Sequence, residues 1–176
     1  YSLALGGADV SLLSLTNAYR TLANLGNYSN VRTRLDKPLA PVSKVLQAPA
    51  AFIVGDMLSD RQARAITFGM ENALSAKVWA AVKTGTSKDM RDNWCIGYTS
   101  LYTVGVWVGN ASGAPMWDVS GVTGAAPVWQ DIVRYLHRHD APAQKRYRPA
   151  PPPGVEALKD NSPHAPPATV RQRLEQ

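Results

Sequence analysis

The chain has 176 residues, enough for one domain of ordinary size, with 45% hydrophobic and 18% charged residues. Its net charge of +6 comes without a basic stripe interleaved with aromatics, which gives nucleic-acid binding no support and fits anionic polymers or lipid headgroups. No apolar run approaches the roughly 18 residues of a spanning helix, no signal peptide is visible, and the single cysteine, Cys95, excludes an internal disulfide and a Cys-based metal site.

In chain order, the sequence starts at Tyr1 in stretches that already read as folded, which leads to the expectation of a piece of a longer protein. Residues 9–25 predict an amphipathic helix. Leu15, Ala18, Tyr19, Leu22 and Leu25 recur at helical spacing, Asp9 or Ser11 is placed to cap the start, and Gly26 is placed to end it. In the polar segment from Asn27 to Pro41, Val31, Thr33 and Leu35 alternate with basic residues as a short strand would. Pro49 opens a second helix to about Leu58, with Phe52, Ile53, Met57 and Leu58 as its apolar face. Residues 60–75 read as loop and irregular helix.

Three strand signals follow, at Val78–Ser87, Asn93–Thr99 and Tyr102–Val108, rich in Val, Tyr and Trp. The links between them are too short for parallel crossovers, so the expected arrangement is an antiparallel meander. A Gly/Ser-rich loop spans Gly109–Gly124. Pro127 then starts a closing helix to about His137, with Val128, Ile132, Val133 and Leu136 inward. Eight of the 13 prolines lie after residue 141, and residues 141–176 hold six Lys/Arg against three Asp/Glu. That segment predicts a Pro-rich basic linker, poorly ordered, beside a domain at 1–140. The whole predicts an α+β fold of helices on a small antiparallel sheet.

The chemistry concentrates at Lys83-Thr84-Gly85-Thr86-Ser87, which closes the first strand. Strand alternation puts Thr84 and Thr86 on one face, their hydroxyls about 7 Å apart. Near an ammonium, two such hydroxyls suit a carboxylate. Gly85 leaves room for an extended peptide to lie against the strand in the manner of an added strand. The backbone N–H of Thr86 is then available to a carbonyl oxygen as charge develops on it.

With its surroundings, this motif resembles the Lys-Thr-Gly element of penicillin-binding proteins and class A β-lactamases, which also use Ser-x-x-Lys and Ser-x-Asn. Gly7–Tyr19 is similar to the helix preceding that element in bifunctional class A penicillin-binding proteins. Trp79–Asp89, Arg91–Tyr98 and Tyr102–Asn110 are similar to its strands, and Ala126–Trp129 to the start of its closing helix. Over about residues 5–140 the chain resembles the C-terminal part of such a transpeptidase domain, with Thr86–Trp94 nearest the 1C type of the family.

The resemblance implies a partial penicillin-binding-protein/serine β-lactamase-like fold. It implies that Lys83 orients and activates groups in the cleft, and that Thr84, Gly85, Thr86 and Ser87 bind substrate, with Thr86 as an oxyanion donor. The implied ligands are D-Ala-D-Ala stem peptides and β-lactams, with no cofactor and no metal. It also implies a parent with a glycosyltransferase domain and one membrane anchor, working at the periplasmic face of the inner membrane, and an upstream half of the same domain as partner. The Pro-rich tail resembles a linker to a further domain.

No serine in the chain has Lys three residues on, and none has Asn two residues on, so neither the Ser-x-x-Lys nucleophile nor the Ser-x-Asn element is present. The expectation is a chain inactive alone. Two other readings share the motif: a fragment of a serine β-lactamase or D,D-carboxypeptidase, and a non-catalytic binding remnant. Elsewhere blander roles are expected. Cys95 reads as a buried thiol. His137 and His139 are too few for a metal. Trp79, Trp107 and Trp129 read as core, Trp117 as a loop residue near the cleft, and Lys88-Asp89 and Arg91-Asp92 as a solvated turn.

Overall fold

A computed structural model describes residues 7–60, 78–140, 148–157 and 170–171. Most of the segment expected as loop at 60–75 lies outside these residues, as does much of the tail. Helix α1 (Leu12–Ala23) is capped by Ser11, whose hydroxyl accepts the Ser14 N–H at 3.1 Å. The chain leaves it through Gly26, at φ +89°, where a Cβ would come within 2.2 Å of the Leu46 carbonyl oxygen. Two-residue strands β1 (Asn27–Tyr28) and β2 (Ser43–Lys44) then pair antiparallel.

The alternation at residues 31–35 does not make a strand. Val31 and Leu35 are exposed, and the Arg32 guanidinium donates back to the carbonyls of Leu35 and Lys37, closing a loop. Helix α2 (Ala48–Ser59) has Pro49 in its first turn and buries Ala51, Phe52 and Gly55. Met57, expected inward, is 67% exposed.

The expected meander is present. β3 (Ala81–Thr86), β4 (Asp92–Tyr98) and β5 (Thr103–Gly109) form one antiparallel sheet in the order β3-β4-β5. β3 starts three residues later than expected. Short turns close both hairpins. The 3₁₀ turn Lys88–Met90 joins β3 to β4, and the Thr99 hydroxyl accepts the N–H groups of Leu101 and Tyr102 in the turn before β5.

Helices cover both faces. On one, α1 lies so close to β5 that a Cβ on Gly105 would meet the Thr16 hydroxyl at 2.0 Å, and a Cβ on Gly55 of α2 would meet the Tyr98 hydroxyl at 2.2 Å. Burial, and to a lesser degree Tyr19, push the Tyr98 phenol up to about 12, so it stays neutral there. The buried line of α1 is polar, Asn17 and Thr21, rather than the apolar stripe expected; Ala18 is exposed. These two are accommodated because the Thr21 hydroxyl donates to the Asn17 carbonyl and the Asn17 amide to the Ser29 carbonyl.

On the other face lies the main core. Val82, Cys95, Val104 and Val106 meet Ala125, Ala126, Trp129 and Val133 of a π turn (Gly121–Ala125) and of helix α3 (Ala126–Leu136). Cys95 is buried, as expected. Trp129 and Val133 are buried and Leu136 packs on the core, as expected, but Val128 and Ile132, expected inward, are 46% and 38% exposed. Two stripes of this helix are apolar, and Trp129 decides between them, because only one orientation lets its indole N–H reach the Val104 carbonyl, at 3.1 Å.

His137, just past α3, locks the end of the helix to the β4–β5 turn. Its Nδ1 faces the Asp140 carboxylate at 2.5 Å and its Nε2 faces the Thr99 hydroxyl at 2.9 Å. That hydroxyl accepts the N–H groups of Leu101 and Tyr102 and donates to the Tyr102 carbonyl at 3.4 Å. In the tail, Arg148 ion-pairs with Asp56 of α2, and β6 (Glu156–Ala157) pairs with β7 (Val170–Arg171). Replacing Trp129 by Ala should cost ~3–5 kcal/mol in denaturant unfolding, and Val128→Ala well under 1 kcal/mol. Equal losses would contradict this orientation of α3.

Candidate functional site

The motif occupies β3, the edge strand of the sheet. Among the described residues β3 pairs with β4 alone, so its other side is open. The hydrogen-bond phase fixes what that open side presents. The Ser87 N–H donates to the Asp92 carbonyl at 2.9 Å, so Ser87 and Asp92 form a hydrogen-bonded pair. In an antiparallel ladder such pairs alternate with non-bonded ones. Along the observed register, Gly85↔Trp94 and Lys83↔Ile96 are therefore bonded, and Thr86↔Asn93 and Thr84↔Cys95 are not. The N–H and C=O groups of Thr84 and Thr86 project from the free edge.

The side chains divide across the sheet. Thr84 and Thr86 share the face covered by the π turn, and Lys83 and Gly85 the face toward α1. The ammonium of Lys83 nevertheless reaches the edge, donating to the Thr84 carbonyl at 2.7 Å. A ligand along the edge thus has hydroxyls on one side and a cation on the other. On the α1 side a groove of about 530 Å³ runs past Lys83, Gly85, Trp94 and Ile96 to Leu15 and Tyr19, with Ala8–Val10 at its rim. Burial, and then Cys95, raise the Tyr19 phenol above its ordinary value.

Gly85 has no packing reason to be glycine. A Cβ there would meet Trp94 at 3.7 Å, an ordinary contact. Gly121 is the opposite case: a Cβ would lie 2.6 Å from the Gly85 carbonyl oxygen and 2.7 Å from that of Trp94. The π turn rests directly on the motif's backbone here, and the Gly121 N–H donates to the Thr86 hydroxyl at 3.0 Å. Nothing in the sequence singled out Gly121. A capping box holds the turn: the Thr123 hydroxyl accepts the Ser120 N–H at 2.9 Å and the Ser120 hydroxyl the Thr123 N–H at 3.3 Å.

Ser87 stands apart from the other motif residues. Its hydroxyl donates to an Asp92 carboxylate oxygen and accepts the Asp92 N–H, both at 2.9 Å, so it closes the turn. Asp92 also accepts the Trp107 indole N–H at 2.9 Å, which makes it an anchor rather than a solvated residue; Lys88, Asp89 and Arg91 are exposed as expected. Trp107 is 37% exposed and tilted against Trp94, so it is not core. Trp79 is half-buried, edge-on to Tyr98. Trp117 is 89% exposed in the loop before the π turn. Among the described residues no group of His, Cys, Asp and Glu is placed to hold a metal, and no helix is long and apolar enough to cross a membrane.

A three-stranded antiparallel sheet with helices on both faces and a closing helix after the last strand is shared with part of solved penicillin-binding proteins. Penicillin-binding protein 1A from Haemophilus influenzae superposes with a TM-score of 0.72 over 96% of this chain and 33% of that one, at 14% identity. PonA1 from Mycobacterium tuberculosis in complex with penicillin V gives 0.69 over 86% and 44%, at 19% identity. In sequence, penicillin-binding protein 1C of Escherichia coli (strain K12) is 31% identical over 148 residues, 84% of this chain and 19% of that protein. Penicillin-binding protein 1A of Clostridium botulinum (strain Langeland) is 33% identical over 135 residues, 71% and 16%. No family model matches the chain. The chain belongs to the penicillin-binding transpeptidase-domain family, and it spans under a fifth of the length of these two curated relatives.

Gly85→Ala should leave the thermal midpoint within a few degrees of native, whereas Gly121→Ala should lower it markedly, since its Cβ meets backbone on two strands. A large loss from Gly85→Ala, in thermal unfolding of both variants, would show that this glycine serves packing.

Proposed function

We propose that this chain supplies the substrate-binding edge of a peptidoglycan D,D-transpeptidase, as the C-terminal part of its penicillin-binding domain. The observation that carries the reading is the open edge of β3. There the outward backbone of Thr84 and Thr86, the space at Gly85 and the Lys83 ammonium meet along one line. An acyl donor ending in D-Ala-D-Ala lies along that edge as an added strand. Its terminal carboxylate is held by the hydroxyls of Thr84 and Thr86 beside Lys83. The scissile carbonyl faces the Thr86 N–H, which stabilises the negative charge developing on its oxygen. A β-lactam presents a carboxylate and a strained carbonyl in the same relation. Ser87 holds the turn that ends the strand.

The nucleophile is a serine outside these 176 residues, contributed by the upstream half of the domain. Its hydroxyl attacks the D-Ala-D-Ala carbonyl, losing its proton to a neighbouring base. The C–N bond breaks, the terminal D-Ala leaves as the amine after taking up a proton, and an acyl ester remains on the serine. An amine of a neighbouring stem then attacks the ester, forming the cross-link and freeing the serine. Lys83 orients the carboxylate and the reacting groups from its place at the edge. By the same reading the parent is anchored in the inner membrane, acts on its periplasmic side and carries a glycosyltransferase domain.

Incubated with a fluorescent penicillin, the chain alone should show no covalent label on a denaturing gel. Diacetyl-L-Lys-D-Ala-D-Ala, titrated by NMR, should bind reversibly. Thr84→Val and Thr86→Val should each weaken binding by about tenfold or more, the loss of one hydrogen bond to a charged group. A labelled band, or binding indifferent to both threonines, would contradict the reading.

A further inference from the structure

A threonine hydroxyl has one proton and two lone pairs, and in water it donates or accepts without preference. The Thr86 hydroxyl is constrained. The Gly121 N–H points at its oxygen from 3.0 Å, and an amide N–H cannot accept the hydroxyl's proton in return. Asn93 faces Thr86 in the register, and its Oδ1 is buried and makes no hydrogen bond. Among the described residues the Gly121 amide is the only hydrogen-bond partner of the Thr86 hydroxyl. One lone pair is therefore filled and the proton is left for a ligand.

We propose that the Gly121 amide is a positioning group that turns the Thr86 hydroxyl into a dedicated donor toward an anionic ligand end on the β3 edge, and that the Ser120–Thr123 box holds the amide in place. The inference rests on the reading of that edge as a carboxylate site. Thr86 then offers two donors, its backbone N–H from the free edge and its side-chain O–H beside it. The close approach of the turn explains why residue 121 is glycine, since any Cβ would strike the carbonyls of Gly85 and Trp94. The reciprocal bonds of Ser120 and Thr123, with the Gly124 N–H donating to the Ser120 carbonyl at 2.7 Å, fix the amide's direction. Pi segments of this kind recur at functional sites.

The test uses the 176-residue chain with diacetyl-L-Lys-D-Ala-D-Ala as probe. Gly121→Ala is unsuitable, because it displaces two strands. Thr123 is exposed, so Thr123→Val removes the bond from the Ser120 N–H, one half of the box, with little effect on packing. Thr123→Val should weaken probe binding about three- to fivefold, and Thr123→Ser should restore it. In a Thr86→Val background the same Thr123→Val substitution should change binding less than twofold, because no hydroxyl remains to be oriented. An equal loss in both backgrounds would show a merely structural effect and overturn the proposal, as would full affinity in Thr123→Val alone. If Thr86→Val weakens binding while Thr123→Val does not, this inference alone fails. If the probe binds Thr86→Val as well as it binds the native chain, or binds neither, the carboxylate-site reading fails and takes this inference with it.

Discussion

The phase of the β3–β4 ladder is the constraint on which the rest depends. One backbone bond, from the Ser87 N–H to the Asp92 carbonyl, sets which residues of β3 turn their amides inward and which turn them to the open edge. Because the side-chain period of a strand is two, a slip of one residue would reverse every assignment. Lys83 and Gly85 would then offer their backbone to the edge, and Thr86 would lose its free N–H. The turn that sets the phase is over-determined. Ser87 and Asp92 exchange a second pair of contacts through the Ser87 hydroxyl, and Trp107 on β5 anchors the Asp92 carboxylate from the neighbouring strand.

From that phase the site assembles by packing rather than by a local network of charges. Trp129 fixes the rotation of α3, its indole N–H held by the Val104 carbonyl. α3 follows the π turn directly, so its placement carries Gly121 onto the backbone of Gly85 and Trp94. The hydroxyl of Thr86 is then met by an amide whose position derives from the main core.

The sequence revealed the meander, the closing helix and the motif strand, because β-branched and aromatic runs between short links leave few other arrangements. It also marked Lys83, Thr84 and Thr86 as candidates to hold a carboxylate. It did not show which stripe of α3 is inward, since Val128 and Ile132 are as apolar as Val133 and only the tryptophan's hydrogen bond separates the alternatives. It misplaced α1 for the converse reason: Asn17 and Thr21 are polar by composition, yet the Asn17 amide N–H and the Thr21 hydroxyl find carbonyl acceptors and both residues enter the core, with Asn17 Oδ1 left unpartnered. The roles of Ser87 as a turn lock and of Gly121 as a neighbour of Thr86 depend on contacts across 5 and 35 residues, and no local pattern marks them.

Amide hydrogen exchange resolved by residue tests the central claim most directly. In the free chain the amides of Thr84 and Thr86 should exchange fast, those of Lys83 and Gly85 slowly, and the two threonine amides should slow when a D-Ala-D-Ala peptide is added. Protection of Thr84 and Thr86 without ligand, with fast exchange at Lys83 and Gly85, would place the opposite groups on the open edge and contradict the account.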